Sequence, residues 1–284
     1  MKVLILGASG MLGSYLSDLC PKEDYFLCNS SYQNKHRADF LKPNTVINKI
    51  DDINPDVVIN CVAVTSFEVC EHSPVDAEQI NSLTPGIISR HCHERGIYFV
   101  HISTDHFYNN DLDYAHKEDD PIKIFNSYAK TKHDAENYTL DNPEALVLRT
   151  SIIGRNKKGT SFLDWIINSI HKKEKVSLFN DAYTSFIHCK ELCNLIYKLI
   201  KLKPCGLYNL ASKEVFSKAE FSIALAKELN IDFDYELKSV KILNVKRANS
   251  CGLNSDKISS FIDIPLPSMI DTVKISAHEY RKKA

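Results

Sequence analysis

The chain is 284 residues long, 44% apolar and 25% charged, with 35 basic against 36 acidic residues and a formal net charge of −1. That is ordinary globular composition, enough for one large domain or a domain with a smaller lobe, and the even balance of charge favours neither a nucleic-acid nor a membrane partner. No apolar run approaches the ~20 residues that cross a bilayer.

The N-terminal MKVLILGASG is apolar only as far as Gly7, too short for a signal peptide. Nine scattered cysteines, with no C-x-x-C, are most simply reduced thiols in a cytoplasmic protein. KVLILG (2–7) predicts a buried strand, MLGSYLSDLC (11–20) a helix and YFLCNS (25–30) a second strand. NTVINKIDDI (44–53) predicts a helix and DVVINCVA (56–63) a strand. Residues 73–96 carry a long helix that Pro85 bends or interrupts. YFVHIST (98–104) is a strand, SYAKTKHDAENYTL (127–140) a helix and ALVLRTSII (145–153) a strand.

Strand–helix alternation with β-branched runs implies an α/β fold, a Rossmann-like doubly wound parallel sheet covered on both faces, with ligands at the carboxyl ends of the strands. After residue 154 the rhythm changes. Residues 161–173, 189–202 and 217–230 look helical, the last with Ser217 as N-cap, and 206–212 and 235–243 look like strands. The expected division is a dinucleotide domain over 1–154 and a smaller substrate lobe over 155–284, interleaved with the last strands of the sheet. The basic end YRKKA reads as a solvated tail. HCHE (91–94) and HCKELC (188–193) have metal-ligand residue types, but the cysteines of the second lie in a helix-like apolar stretch where Cys is an ordinary core residue. No metal is expected.

Gly7, Gly10 and Gly13 follow the first strand and open the first helix. Such glycines allow a sharp turn, close approach of backbone to a pyrophosphate, and tight helix–strand packing. The backbone of Ser9, Met11 and Leu12 then offers N–H groups at a helix N-terminus. About 20 positions on, where NAD sites often carry a carboxylate, the chain has Asn29 and Ser30. Lys35 and Arg37 follow and could meet a 2′-phosphate, so NADP is favoured over NAD. Tyr128 and Lys132 stand one helical turn apart, on one face. A lysine charge beside a phenol favours the phenolate and brings its proton within reach of neutral pH.

The glycine pattern, HISTDHF (101–107), the Tyr128/Lys132 pair and LRTSIIG (148–154), in this order, resemble the extended short-chain dehydrogenase/reductase family, and within it the dTDP-4-dehydrorhamnose reductase branch. KRANSCGLNSDKI (246–258) resembles a late Arg/Asn/Ser segment of that branch. The resemblance implies NADP- or NAD-dependent reduction of a nucleotide-linked 4-keto-6-deoxyhexose. It makes Tyr128 the general acid, Thr104 the hydrogen-bond donor to the substrate oxygen, and Lys132 the partner of the nicotinamide ribose. It places Asp39 and Phe40 beside the adenine, Cys61, Val62 and Ala63 along the cofactor, and Asn81 in support. Asp105 and Arg247 become substrate contacts, Arg247 at the sugar-nucleotide phosphates. Relatives are often homodimers.

Where the branch usually has Trp and Tyr this chain has Ile152 and Ile153, and the Gly-x-Pro-Thr segment is missing near NDAYTSFIHC (180–189), which points to a cousin acting on a different keto sugar. Two alternatives stay open. One is a non-catalytic, nucleotide-binding regulatory subunit of the same fold. The other is a sugar-nucleotide epimerase or dehydratase, although the acidic residue that dehydratases carry after Thr-Asp is here His106. His106 and His188 read as structural or surface residues.

Overall fold

A computed structural model describes residues 1–19, 25–30, 36–109, 111–263 and 265–281. The chain divides into two compact units. The first comprises residues 1–104, 124–149 and 193–208, and the second 105–123, 150–192 and 209–284.

The first unit is built on one sheet. Its strands are β1 (Val3–Leu6), β2 (Tyr25–Asn29), β3 (His36–Arg37), β4 (Val57–Asn60), β5 (Tyr98–Ile102), β6 (Leu146–Arg149) and β7 (Gly206–Asn209), in the order β7-β6-β5-β4-β1-β2-β3. Strands β1 to β6 pair in parallel. In β1, β4, β5 and β6 every residue is buried, as expected of strands covered on both faces. The order reverses at β1, which lies between β2 and β4 with Leu6 level with both Cys28 and Asn60. That is the switch point at which doubly wound sheets hold ligands. Helices α1 (Met11–Leu19), α2 (Pro43–Ile53), α3 (Phe67–His72), α4 (Pro74–Glu78), α5 (Thr84–Glu94) and α6 (Ser127–Leu140) belong to this unit. One core cluster joins Leu4, Leu6, Val58 and Phe99 of the strands to Val46 and Ile50 of α2 and Ile88 and Cys92 of α5.

The predicted helix over 73–96 is three pieces. Between α4 and α5 the chain widens into a π-turn, Gln79–Leu83, closed by a bond from the Thr84 N–H to the Gln79 carbonyl. Its position just before Pro85 has a simple cause: Pro85 has no N–H to give residue 81, so the α pattern cannot pass through. The predicted helix end at Cys20 lies outside the described residues.

The second unit uses short strands. Ile152–Ile153 pairs in parallel with Ile187–His188, and Tyr235–Lys238 with Val176–Phe179. Tyr183–Thr184 takes Phe216–Ser217 antiparallel on one side and Ser250–Cys251 parallel on the other. The predicted strand over 145–153 is therefore two strands in two different sheets, and the one over 235–243 ends at Lys238 and passes into a 3-10 turn, Val240–Ile242. Ser217 does cap the helix Lys218–Leu229, in a full capping box with Glu220. Helices Phe162–His171, Lys218–Leu229 and Met269–Arg281 bury Ile166, Ile170, Phe221, Leu225, Val273 and Ala277 in one core with Phe186 and Phe216. Tyr280 and Arg281, read as part of a solvated tail, are the last turn of the third of these helices.

Candidate active site

The glycine turn is shaped by contacts that exclude side chains. Gly7 has φ +82°, and a Cβ there would stand 3.0 Å from the Val62 side chain and 3.1 Å from the Cys61–Val62 backbone. A Cβ on Gly13 would stand 2.2 Å from the Gly7 carbonyl oxygen. With both positions bare, α1 starts hard against the end of β1, and Gly10 closes the turn by a 2.9 Å N–H bond to Gly7. The first N–H groups of a helix have no partner within it, so the backbone at Ser9, Met11 and Leu12 lies at a ready anion cradle. Across the switch point runs Cys61–Val62–Ala63, following β4. Burial pushes the Cys61 thiol up to about 12, so it is an inert wall rather than a nucleophile. These features fit a dinucleotide.

Asp39 and Phe40, expected beside an adenine, differ in exposure. Asp39 lies in the turn before α2, and its carboxylate accepts the Leu41 N–H at 3.0 Å. Phe40 is buried in the core, and its carbonyl accepts the Thr84 hydroxyl at 2.9 Å. Asn29 ends β2 with Ser30 beyond it, and Arg37 ends β3. Lys35 lies outside the described residues.

Helix α6 carries the pair. Asn126 caps it, Oδ1 accepting the Ala129 N–H at 2.8 Å. Tyr128 is 9% exposed and meets the edge of Phe67 with ring centroids 5.1 Å apart. Asn81, in the π-turn, holds the loop after β4 through the Val64 N–H (2.7 Å) and carbonyl (3.0 Å), and donates to Thr131 of α6 at 3.1 Å. Lys132, 1% exposed, reaches the Ile102 carbonyl at 2.7 Å and His101 Nε2 at 3.0 Å. Burial lowers its pKa from 10.5 to about 8, against the pull of Glu136 and Cys61. Glu136 is itself held by Arg149 at 2.7 Å and by the Ser103 hydroxyl at 2.5 Å. Thr104, 3% exposed, stands two residues beyond Ile102.

In the second unit a small cavity is lined by Asp105, His106, Ser151, Thr184, Lys218, Arg247 and Cys251, among others. Asp105 and Arg247, singled out from the sequence, meet there. His106, read as structural or surface, lines the same cavity. Its Nδ1 is 3.9 Å from Cys251 Sγ and its Nε2 3.8 Å from Asp105. Burial lowers the His106 pKa, Asp105 opposes this, and Lys218 and Arg247 reinforce it. Asp105, His106 and Cys251 have the types and closeness of a metal site, but two cations beside them make the cavity suit an anion better. His188 is fully buried: Nε2 faces Glu279 at 3.2 Å and Nδ1 accepts the Lys190 N–H. Cys189 and Cys193 are buried in the helix Cys189–Leu202, and His91 pairs with Asp51. Sequence reasoning missed Asn60, His101, Lys218 and Cys251. Of these, His101 lies in HISTDHF and Cys251 in KRANSCGLNSDKI, and His106, read as structural or surface, stands directly after Thr104–Asp105.

A doubly wound sheet with a glycine turn at its switch point and a Tyr-x-x-x-Lys helix beside it defines a short-chain dehydrogenase/reductase of the extended type. The chain belongs to the RmlD substrate binding domain family, whose model it matches over residues 1–281. It is 25% identical over 281 residues to dTDP-4-dehydrorhamnose reductase of Salmonella typhimurium, covering 94% of each chain. It is 24% identical over 274 residues to methionine adenosyltransferase 2 subunit beta of Pongo abelii, covering 91% of this chain and 82% of that one. Its fold matches the crystal structure of dTDP-4-dehydrorhamnose reductase from Bacillus anthracis in complex with NADP, with a TM-score of 0.88 at 22% identity over 98% of this chain and 99% of that one.

Proposed function

We propose that the protein is an NADPH-dependent reductase of a nucleotide-linked keto sugar, most simply a 4-keto-6-deoxyhexose. The observation that carries the reading is the Tyr128/Lys132 pair, with Lys132 anchored at the end of β5 two residues before Thr104. The first unit holds the cofactor on the glycine turn, Asp39–Phe40 and Cys61–Ala63. The second offers Asp105, Lys218 and Arg247 to an anionic substrate.

The cofactor supplies hydride. As the carbonyl oxygen gains charge, the Tyr128 phenol gives it a proton and the Thr104 hydroxyl gives it a hydrogen bond. Lys132, when protonated, favours the phenolate left on Tyr128. The likeness to the reductase from Salmonella typhimurium supports this substrate class, and the NADP held by the Bacillus anthracis reductase supports the cofactor. The cysteines scattered along the chain, with no C-x-x-C pair among them, support a cytoplasmic setting. Leu83 and Ile87 near and on α5 and Tyr138 on α6 are exposed, which supports a homodimer through these helices.

Purified protein should oxidise NADPH when given a nucleotide 4-keto-6-deoxyhexose. Tyr128→Phe should lower kcat by about 10²–10⁴-fold while cofactor affinity is unchanged. The likeness to methionine adenosyltransferase 2 subunit beta favours a second reading, a regulatory subunit without chemistry of its own. Absence of NADPH consumption with every nucleotide keto sugar, with binding retained, would establish that reading instead.

A further inference from the structure

Lys132 ends a hydrogen-bond chain whose direction is set at its far end. The Val62 N–H donates to Asn60 Oδ1 at 3.1 Å. This fixes the amide, so that its NH2 faces His101, with Nδ2 3.1 Å from Nδ1. An NH2 group only donates, hence Nδ1 accepts. A neutral imidazole that accepts at Nδ1 carries its proton on Nε2. Nε2 lies 3.0 Å from Lys132 Nζ, so an N–H points at the lysine nitrogen. An ammonium has three donors and nothing with which to accept; a neutral amine has a lone pair. The satisfied arrangement has Nζ accepting from His101 and donating to the Ile102 carbonyl at 2.7 Å.

We propose that His101, oriented by Asn60, is a positioning residue that favours the uncharged amine of Lys132 in the free protein, and that the charged form is favoured instead when the Asn60 amide turns over and releases the Val62 N–H. The role this gives Lys132 in catalysis rests on the reductase reading; the hydrogen-bond direction does not. The groups around Nζ agree. Glu136, one turn along α6, is committed to Arg149 and Ser103. The Cys61 thiol is neutral. Tyr128, one turn back on α6, packs on Phe67. Burial holds His101 well below its usual pKa, excluding an imidazolium, and lowers that of Lys132.

The consequence is a link between two places. Val62 belongs to the segment expected to line the cofactor. A group that takes the Val62 N–H in place of Asn60 frees Oδ1 to turn towards His101. The ring then takes the Nδ1–H tautomer, Nε2 accepts, and Nζ takes up one proton from solvent. Linkage makes this reciprocal: occupation of the segment and charging of the lysine favour each other.

The test uses free protein, without cofactor or substrate, labelled with [13C]lysine. The Lys132 Cε resonance, assigned by its loss in Lys132→Met, is followed from neutral to alkaline pH. In His101→Phe, which keeps the ring volume and removes the opposing N–H, the lysine midpoint should rise, with roughly a tenfold fall in its acid dissociation constant. Asn60→Leu, which frees the ring to take either tautomer, should move it the same way and serves if the first variant does not fold. Were Nε2 the acceptor of an ammonium, both substitutions would remove support for the charge. A midpoint that falls or stays put therefore overturns the proposal. Neither result depends on whether the protein turns over a sugar nucleotide, so failure of the reductase reading shows separately in the NADPH assay.

Discussion

A lysine buried to 1% exposure bears on stability as well as chemistry. Its folded pKa of about 8 lies below the ordinary 10.5. Above the ordinary value both states are neutral and the burial costs nothing; as pH falls towards the folded value, only the unfolded chain binds the proton easily. Stability associated with Lys132 is thus fully present above pH 10.5, declines as pH falls towards about 8, and is lost below. Relative to Lys132→Met, the wild type should gain about 3 kcal/mol between those limits, read from denaturant unfolding of both proteins across that pH range. At this scale the sequence shows the groups that act by spacing. Tyr128 and Lys132 are four apart on a helix, and the glycines follow a buried strand. Asn60 and His101 act through each other and through Lys132, across 41 and 31 positions of chain, and no spacing in the sequence links them.

Helix α6 is placed by what its neighbours lack and what they lend. Gly86 of α5 leaves room for the Tyr138 side chain of α6, since a Cβ there would stand 2.7 Å from that of Tyr138. The π-turn lends Asn81, which ties α6 to the loop after β4 by three bonds. Asn81→Ala leaves the half-buried Val64 backbone groups and the buried Thr131 hydroxyl without it and should cost about 2 kcal/mol, seen as a lower denaturant midpoint. It should also lower kcat, because the loop and the helix bearing Tyr128 come apart. The long strands and helices of the first unit were legible because a fully covered strand is an unbroken apolar run. The π-turn was legible only as a disturbance at Pro85. The two-residue strands 152–153, 183–184, 187–188, 216–217 and 250–251 were not, since so short a strand has no period of its own and is defined by its partner.

On the scale of the molecule, the chain visits each unit three times. A cut at residue 154, where the sequence changes rhythm, removes residues 193–208 from the first unit and with them nearly all of β7. A fragment of residues 1–154 should therefore show no cooperative thermal transition by circular dichroism, whereas the full chain should show one. A sharp, reversible transition in the fragment would mean that the dinucleotide fold is complete without its last strand. The reassignment of residues 105–123 and 193–208 could not be read from the sequence, because which unit a segment joins is decided by contacts with residues far along the chain.

The late arrival of β7 also matters during synthesis. Strand β6 is finished at Arg149, but the strand that pairs with its outer side ends at Asn209, about 60 residues later, a wait of roughly 3–12 s at ~5–20 residues per second. For that interval the nascent chain carries a bare row of N–H and C=O groups on an apolar strand, the surface on which chains from neighbouring ribosomes would pair. Slowing translation between these two points should increase insoluble product, and supplying a holdase should reverse it.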